Sequence, residues 1–225
     1  MARWRFDAIG TRWEIETAGE LSAEVRADVL AVVERFDRTW SRFRADSDVT
    51  RLSREGGALL SEDAAPMLDA YRGLSRAMDG AVNPLVGASL SALGYDARYS
   101  LTPGEPTAAP EDWPRILSWS GAGMATTEPV LVDVGALGKG RLVDLMLSRL
   151  GGTFGDVVVD AGGDIRVRGS GAVRIGLEHP LDPTKAIGVL EVSDGALCAS
   201  AINRRSWGSG LHHVLDARTG TPVRT

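Results

Sequence analysis

Three short stretches combine residue types and spacing that could do chemistry. Val132 to Asp144 reads VDVGALGKGRLVD, with one aspartate and three glycines around a lysine ahead of an amphipathic run. Glycines at a helix entry let backbone N–H groups approach an anion, and a helix N-terminus favours negative charge. Lys139 adds a full positive charge, so the chemistry offered is that of phosphate binding. A Walker loop is excluded, because Asp133 stands where its first glycine belongs and Gly140 where a hydroxyl residue should follow the lysine. Neither Gly121-Ala-Gly123 nor Gly169-Ser-Gly171 supplies the third glycine of a dinucleotide fingerprint. The same residues also serve as a tight strand-to-helix turn with a surface lysine.

DAGGDIRVRG, Asp160 to Gly169, has the paired glycines and acid of a hairpin. SAINRRSWGSGLHHVLDARTG, Ser200 to Gly220, gathers arginines, a tryptophan, an aspartate and two of the three histidines, groups able to move a proton or hold an anion. In the strand-like LHHVLD, neighbours point to opposite faces, so one of His212 and His213 faces a site. His213 shares its face with Leu215, and His212 with Val214 and Asp216; periodicity leaves the choice open.

The elements that must position these residues follow from apolar spacing. Phe6 to Thr17 reads as a strand broken by Gly10. Leu21 to Phe43, with Leu21, Val25, Val29, Val32, Val33, Phe36 and Trp40 three and four apart, predicts a helix capped by Ser22. A second helix is expected from Ser61 or Glu62 to Met78, with Met67, Leu68, Tyr71, Leu74 and Met78 inward and Asp79-Gly80 as its stop. A helix from Arg141 to Leu150 should bury Leu142, Leu145, Met146 and Leu150. Residues 130–134, 157–159, 173–177 and 187–192 predict strands. A Pro/Gly-rich connection near 96–114 separates a helix-rich front from this strand-rich back. The order favours α+β over a regular βαβ alternation, in a single domain over residues 1–225.

Composition narrows the function. The net charge is −5 and Lys and Arg nowhere cluster, which argues against nucleic acid as a partner. The single cysteine, Cys198, excludes an internal disulfide and a cysteine-based zinc cluster, and reads as a small buried apolar residue. The N-terminal MARWRFDAIGTRWEIE alternates as a strand does and lacks a signal peptide's apolar stretch. No run approaches the roughly 18 apolar residues of a membrane span. The expectation is a soluble, cytoplasmic protein.

Taken together and in order, AIGTRWEIE, WSRFRADSDVTRLS, GAVNPLVGASLSALGYD, VDVGALGKGRLVD, VVVDAGGDIRVRG and HHVLDARTGTP resemble the ApbE family of FAD:protein FMN transferases. The resemblance implies an α+β fold of mixed or antiparallel sheets with helices packed on them. It implies FAD as substrate, Mg2+ as cofactor, and transfer of FMN through a phosphoester bond to a threonine hydroxyl of an acceptor flavoprotein. A non-catalytic FAD-binding protein and a Mg2+-dependent FAD hydrolase giving FMN and AMP are the alternatives.

Carried over residue by residue, the resemblance makes Asp133 the acid contacting the adenosine portion and Lys139 a residue facing the FAD phosphates. The metal takes the main-chain oxygen of Ala136. Ile9 and Phe43 match the positions that touch the flavin, Asn83, Pro84 and Leu85 a further FAD-contacting turn, and His213 the histidine of the family's His-Ile-Ile-Asp-Pro motif. His213, or Asp216 nearby, is then the group that handles a proton. Asn83 stands for an acid and Leu85 for a hydroxyl residue, which alters two polar contacts; Ala217 replaces a proline. Family members continue beyond the Thr-Gly-x-Pro motif into a segment whose aspartate and threonine complete the Mg2+ site. The expectation is therefore weak metal binding and poor transfer by residues 1–225.

Overall fold

The computed structural model describes residues 1–225 except 180, 181, 203, 204 and 225. Arg204, one of the arginines grouped near the histidines, thus lies outside the described residues. In chain order the elements are β1 (Ala2–Ala8), β2 (Thr11–Thr17), α1 (Ala23–Trp40), α2 (Asp48–Glu55), β3 (Gly57–Leu60), α3 (Ala64–Ala77), α4 (Gly87–Ala92) and α5 (Trp113–Ile116). Then follow β4 (Leu117–Ser120), β5 (Gly123–Thr126), α6 (Gly138–Leu150), β6 (Val157–Asp160), β7 (Asp164–Arg168), β8 (Val173–His179), β9 (Asp182–Val192) and β10 (Ala196–Cys198). Short pairs close the chain: β11 (Ser206–Trp207), β12 (Leu211–His212), β13 (Leu215–Asp216) and β14 (Thr221–Pro222). The class is α+β, and every described ladder is antiparallel. Two compact units result, Met1–Arg35 with Lys139–Ala201, and Phe36–Gly138 with Ile202–Thr225. Their boundaries fall within α1, at the start of α6 and after Ala201, not in the segment 96–114.

The first unit is built on a five-stranded sheet in the order β1-β2-β6-β7-β10. Gly10 does not merely interrupt a strand, as its sequence context predicts; it reverses the chain. Ile9 (φ 40°) and Gly10 (φ 74°) form the two-residue turn between Ala8 and Thr11. Positive φ at both positions matches the twist of a hairpin, at a cost of about 1 kcal/mol or more for a β-branched residue. Trp13 and Ile15 of β2, Val157 and Val159 of β6, and Leu142, Met146 and Leu150 of α6 are wholly buried and make the core. Helix α6 starts three residues before the expected Arg141, and Val143 and Leu147 are buried while Leu145 is half-covered. Asp160 to Gly169 is the hairpin its composition indicates, Asp160 Oδ1 accepting from Gly162 N at 2.8 Å and Gly163 N at 3.2 Å. Cys198 corrects an expectation. It is exposed, on the last strand of the described order, β10.

The second unit holds the three-stranded sheet β3-β5-β4 and helices α2 to α5. Helix α1, which crosses from one unit to the other, is capped as expected by Ser22, whose Oγ accepts from Val25 N at 3.2 Å. It ends at Trp40, three residues short of Phe43. Helix α3 buries Met67, Leu68 and Tyr71, but Leu74 (39 % exposed) and Met78 (53 %) face solvent. The apolar stripe is therefore narrower than the spacing implies. No strand forms over 130–134: the segment runs as buried irregular chain, and Asp133 N donates to Pro84 O at 2.8 Å instead of to a ladder. LHHVLD likewise splits into β12 and β13 at a bend over 213–214. The 96–114 segment has no helix or strand before α5, yet it is tied down, with Gly104 N on Ala92 O and Ala109 N on Ala217 O, each at 2.8 Å. No described helix is long and apolar enough to cross a membrane.

Candidate functional site

The glycine-rich turn ahead of α6 is held by a buried ion pair. Arg42 Nε donates to Asp133 Oδ2 at 2.5 Å, with only 2 % and 11 % of the two side chains exposed. Asp133 Oδ1 accepts from Gly135 N at 2.6 Å, and a Cβ on Gly135 would lie 2.7 Å from that same oxygen, so the turn closes only with glycine there. Tyr71 Oη donates to Asp133 O at 3.1 Å and takes a backbone hydrogen bond from Ala136. Burial, then the Asp133 charge, pushes the Tyr71 hydroxyl far above the usual phenol range, which keeps it a neutral donor. Helix α6 then begins at Gly138, placing Lys139 in its first turn with Nζ 2.6 Å from Asp164 Oδ2.

Asn83, Pro84 and Leu85 are all buried. Asn83 Oδ1 accepts from Leu85 N and its Nδ2 donates to Pro110 O, both at 2.8 Å, while Pro84 O receives Asp133 N. Their visible task is to seat the Asp133 turn. Gly87, at the start of α4, serves the same end: a Cβ there would lie 2.8 Å from Leu131 O.

The other end of Arg42 reaches aromatic residues. Nη1 donates to Tyr95 O at 2.7 Å, and Cζ lies 4.2 Å from the centroid of Phe43 and 5.0 Å from that of Tyr95. Phe43 stacks on Tyr99, and Tyr95 on Trp207. Leu90, Leu93, Tyr95 and Trp207 form the buried cluster against which Phe43 packs. Arg205 Nη1 donates to Tyr95 Oη at 3.0 Å. Sequence reasoning missed Arg42, Tyr95 and Tyr99, and did not link Arg205 and Trp207 to them. The only signal available was four rings and two arginines dispersed over three stretches, and nothing in their spacing brings them together.

The two adjacent histidines differ in burial and in hydrogen bonding. His212 is buried; its Nε2–H donates to Val223 O at 3.2 Å and its Nδ1 accepts from Val214 N at 3.3 Å, which occupies both ring nitrogens. His213 is half-buried, with Nδ1 3.4 Å from Arg205 O. A carbonyl only accepts, so Nδ1 is the donor in that contact. Asp216 is committed elsewhere. Its oxygens take Arg218 Nε at 2.9 Å and Nη2 at 2.6 Å, and those bonds hold its carboxyl below the usual range, which weakens it as a base.

The resemblance implied Mg2+ at Ala136. Ala136 is exposed on the turn, but among the described residues no three His, Cys, Asp or Glu side chains come together to hold a metal. Mg2+ takes carboxylate anchors, so these residues by themselves do not fit a protein-anchored Mg2+ ion. Of the site residues expected from the sequence, Ile9 and Lys139 belong to the first unit. Phe43, Asn83, Pro84, Leu85, Asp133, Ala136, His213 and Asp216 belong to the second.

Comparison with solved structures shows the same fold elsewhere. The ApbE protein of Thermotoga maritima aligns with a TM-score of 0.82 at 20 % identity, covering 99 % of this chain and 78 % of that one. The flavin transferase ApbE of Vibrio cholerae gives 0.74 at 20 % identity, over 99 % and 78 % of the two chains. The flavinyl transferase ApbE of Pseudomonas stutzeri in its apo form gives 0.75 at 20 %, over 99 % and 76 %. No curated protein sequence matches. The sequence itself matches the ApbE family over residues 9–225, and with the fold in agreement the chain belongs to the ApbE family.

Proposed function

We propose that this protein, as one transferase domain over residues 1–225, binds FAD and transfers its FMN moiety to a threonine hydroxyl of a partner flavoprotein. The observation that carries this reading is the turn from Asp133 to Lys139. It is fixed from beneath by Arg42 and Tyr71 and opens directly into the N-terminus of α6. First-turn N–H groups and Lys139 suit a pyrophosphate, and the half-buried ring of Phe43 suits a flavin. In the same reading Asp133 meets the adenosine portion, Ile9 touches the flavin from its strained turn, and Asn83, Pro84 and Leu85 support the binding segment.

In the reaction the acceptor oxygen attacks the FMN-side phosphorus, the pyrophosphate bond breaks, and AMP leaves with the electron pair. The hydroxyl proton passes to a base. His213 Nε2 is that base, oriented by the bond from Nδ1–H to Arg205 O, and Asp216 stays a turn-fixing acceptor. Phosphoryl transfer of this kind is governed by positioning and electrostatics. The family's Mg2+ would supply charge neutralisation at the phosphates; since the described residues do not fit it alone, no step here runs through the metal. A cytoplasmic location, checked by cell fractionation, belongs to the same proposal.

The test is intact-mass analysis of a threonine-bearing flavoprotein acceptor after incubation with the protein, FAD and Mg2+. A gain of one FMN supports transfer. Free FMN and AMP without acceptor labelling marks a hydrolase, and FAD binding without turnover marks a non-catalytic carrier; either outcome overturns the proposal.

A further inference from the structure

Among the aromatic residues around Phe43, Tyr99 is unlike the others. Tyr95 and Trp207 are buried, and Trp207 Nε1 is fixed to Leu93 O at 2.9 Å. Tyr99 is 51 % exposed, yet its ring lies 5.0 Å from Phe43 with only 9° between the planes. Tyr95 meets both rings edge-on, at 5.4 Å and 69° to Phe43 and at 5.6 Å and 78° to Tyr99. The result is a two-ring stack standing on a fixed edge, with its outer ring in water.

The backbone holds this arrangement at a cost. Tyr99 and Leu101 both have φ of 51°, a region that bulky residues avoid at about 1 kcal/mol or more each. Asp96 Oδ1 maintains the turn by accepting from Arg98 N at 2.8 Å and Ser100 N at 3.1 Å, and Leu101 N closes it on Gly94 O at 2.8 Å. A second observation concerns Arg42. Its Cζ is the atom 4.2 Å from the Phe43 centroid, and its Nη2 is buried with no acceptor among the described residues. Arg42 therefore covers one face of Phe43 with a fixed cation, and Tyr99 covers the other. Arg42 cannot move aside, since Nε and Nη1 are both committed, so Tyr99 is the partner of Phe43 that can yield.

We propose that Tyr99 is the outer wall of the flavin site. The inference rests on the FAD reading above. An isoalloxazine ring enters against Phe43 where Tyr99 now lies, and Tyr99, displaced outward by about one ring thickness, roughly 3.5 Å, stacks on the ligand's other face.

Calorimetry and flavin fluorescence lifetimes of the unaltered protein, Tyr99→Phe and Tyr99→Ala, each titrated with FAD, test this. Bound flavin in the unaltered protein should be strongly quenched, because a phenol in contact passes an electron to the excited flavin and takes it back. Tyr99→Phe should bind within about twofold, since the stack remains, while the lifetime lengthens several-fold. Tyr99→Ala should weaken binding about three- to tenfold, the worth of one aromatic pair. Tyr99→Phe guards against a fold defect in the alanine variant. If both variants bind and quench FAD as the unaltered protein does, Tyr99 does not touch the flavin and only this proposal falls. If the unaltered protein binds no FAD, the flavin reading fails and takes this proposal with it.

Discussion

His213 and His212 are adjacent and identical in type, and the proposed mechanism gives them opposite tasks. In His212 both nitrogens serve the backbone, so His212→Ala should cost about 1–3 kcal/mol of stability through the unpaired Val223 carbonyl and Val214 amide. Urea unfolding measures that loss. His213→Ala should leave FAD binding within a few-fold and lower FMN transfer by about 10² to 10⁴. The reverse pattern, a silent His213→Ala with an inactive but stable His212→Ala, would contradict the assignment. Asp133 carries a second residue-scale expectation. Its carboxylate neutralises a buried guanidinium, so Asp133→Ala should destabilise by about 3–5 kcal/mol, well beyond the loss of one contact. Should Asp133 also meet the adenosine portion, the conservative Asp133→Asn will lower affinity for FAD and leave that for FMN unchanged, a difference calorimetry resolves.

At the level of elements, α4 and the segment 131–134 approach closely because Gly87 has no side chain. A methyl group there meets Leu131 O at 2.8 Å and Leu131 Cγ at 2.9 Å, both part of packed chain. Gly87→Ala should therefore cost about 1–3 kcal/mol and, by moving the Asp133 turn, weaken FAD binding as well; a stable variant with full affinity would show that the turn is not seated this way. The β13–β14 hairpin offers a pH test. Arg218 depresses the carboxyl of Asp216 below its ordinary value in the folded state. A depressed folded value contributes stability above the unfolded value of about 3.9, and that contribution is lost as pH falls through the folded one. The stability gap between the unaltered protein and Asp216→Asn should thus be present near neutral pH and close in acid, as urea midpoints at about pH 7 and about pH 3 will show.

For the molecule as a whole, ligand linkage separates the two expected small partners. FAD at about 100 times its dissociation constant should stabilise the protein by about 2.7 kcal/mol. Mg2+ alone should shift the thermal midpoint little, because among the described residues no three metal-ligating side chains converge; a large shift with Mg2+ and no FAD would contradict that. The helical stripes of α1 and α6, much of that of α3, the hairpin at 157–168, strands within 173–177 and 187–192, and the α+β class were legible in the sequence, since local periodicity and turn chemistry act over a few residues. Six ordered motifs likewise carried the family. Other features depended on residues far apart in the chain. Arg42 meets Asp133 across 91 positions and Trp207 meets Leu93 across 114, distances over which no local pattern reports. The apolar run 130–134 reads as a strand by composition, but packing withheld a partner and gave its backbone to Pro84. Cys198 has a buried residue's chemistry and an exposed position, because edge or interior is settled by sheet order. His212 and His213 differ by a bend that alternation does not foresee. The sequence by itself determined the helices α1, α3 and α6, the Asp160 to Gly169 hairpin and the kinship. Tertiary structure alone decided which charges are buried together, which histidine is buried and which tyrosine stands over Phe43, because those outcomes follow from long-range packing.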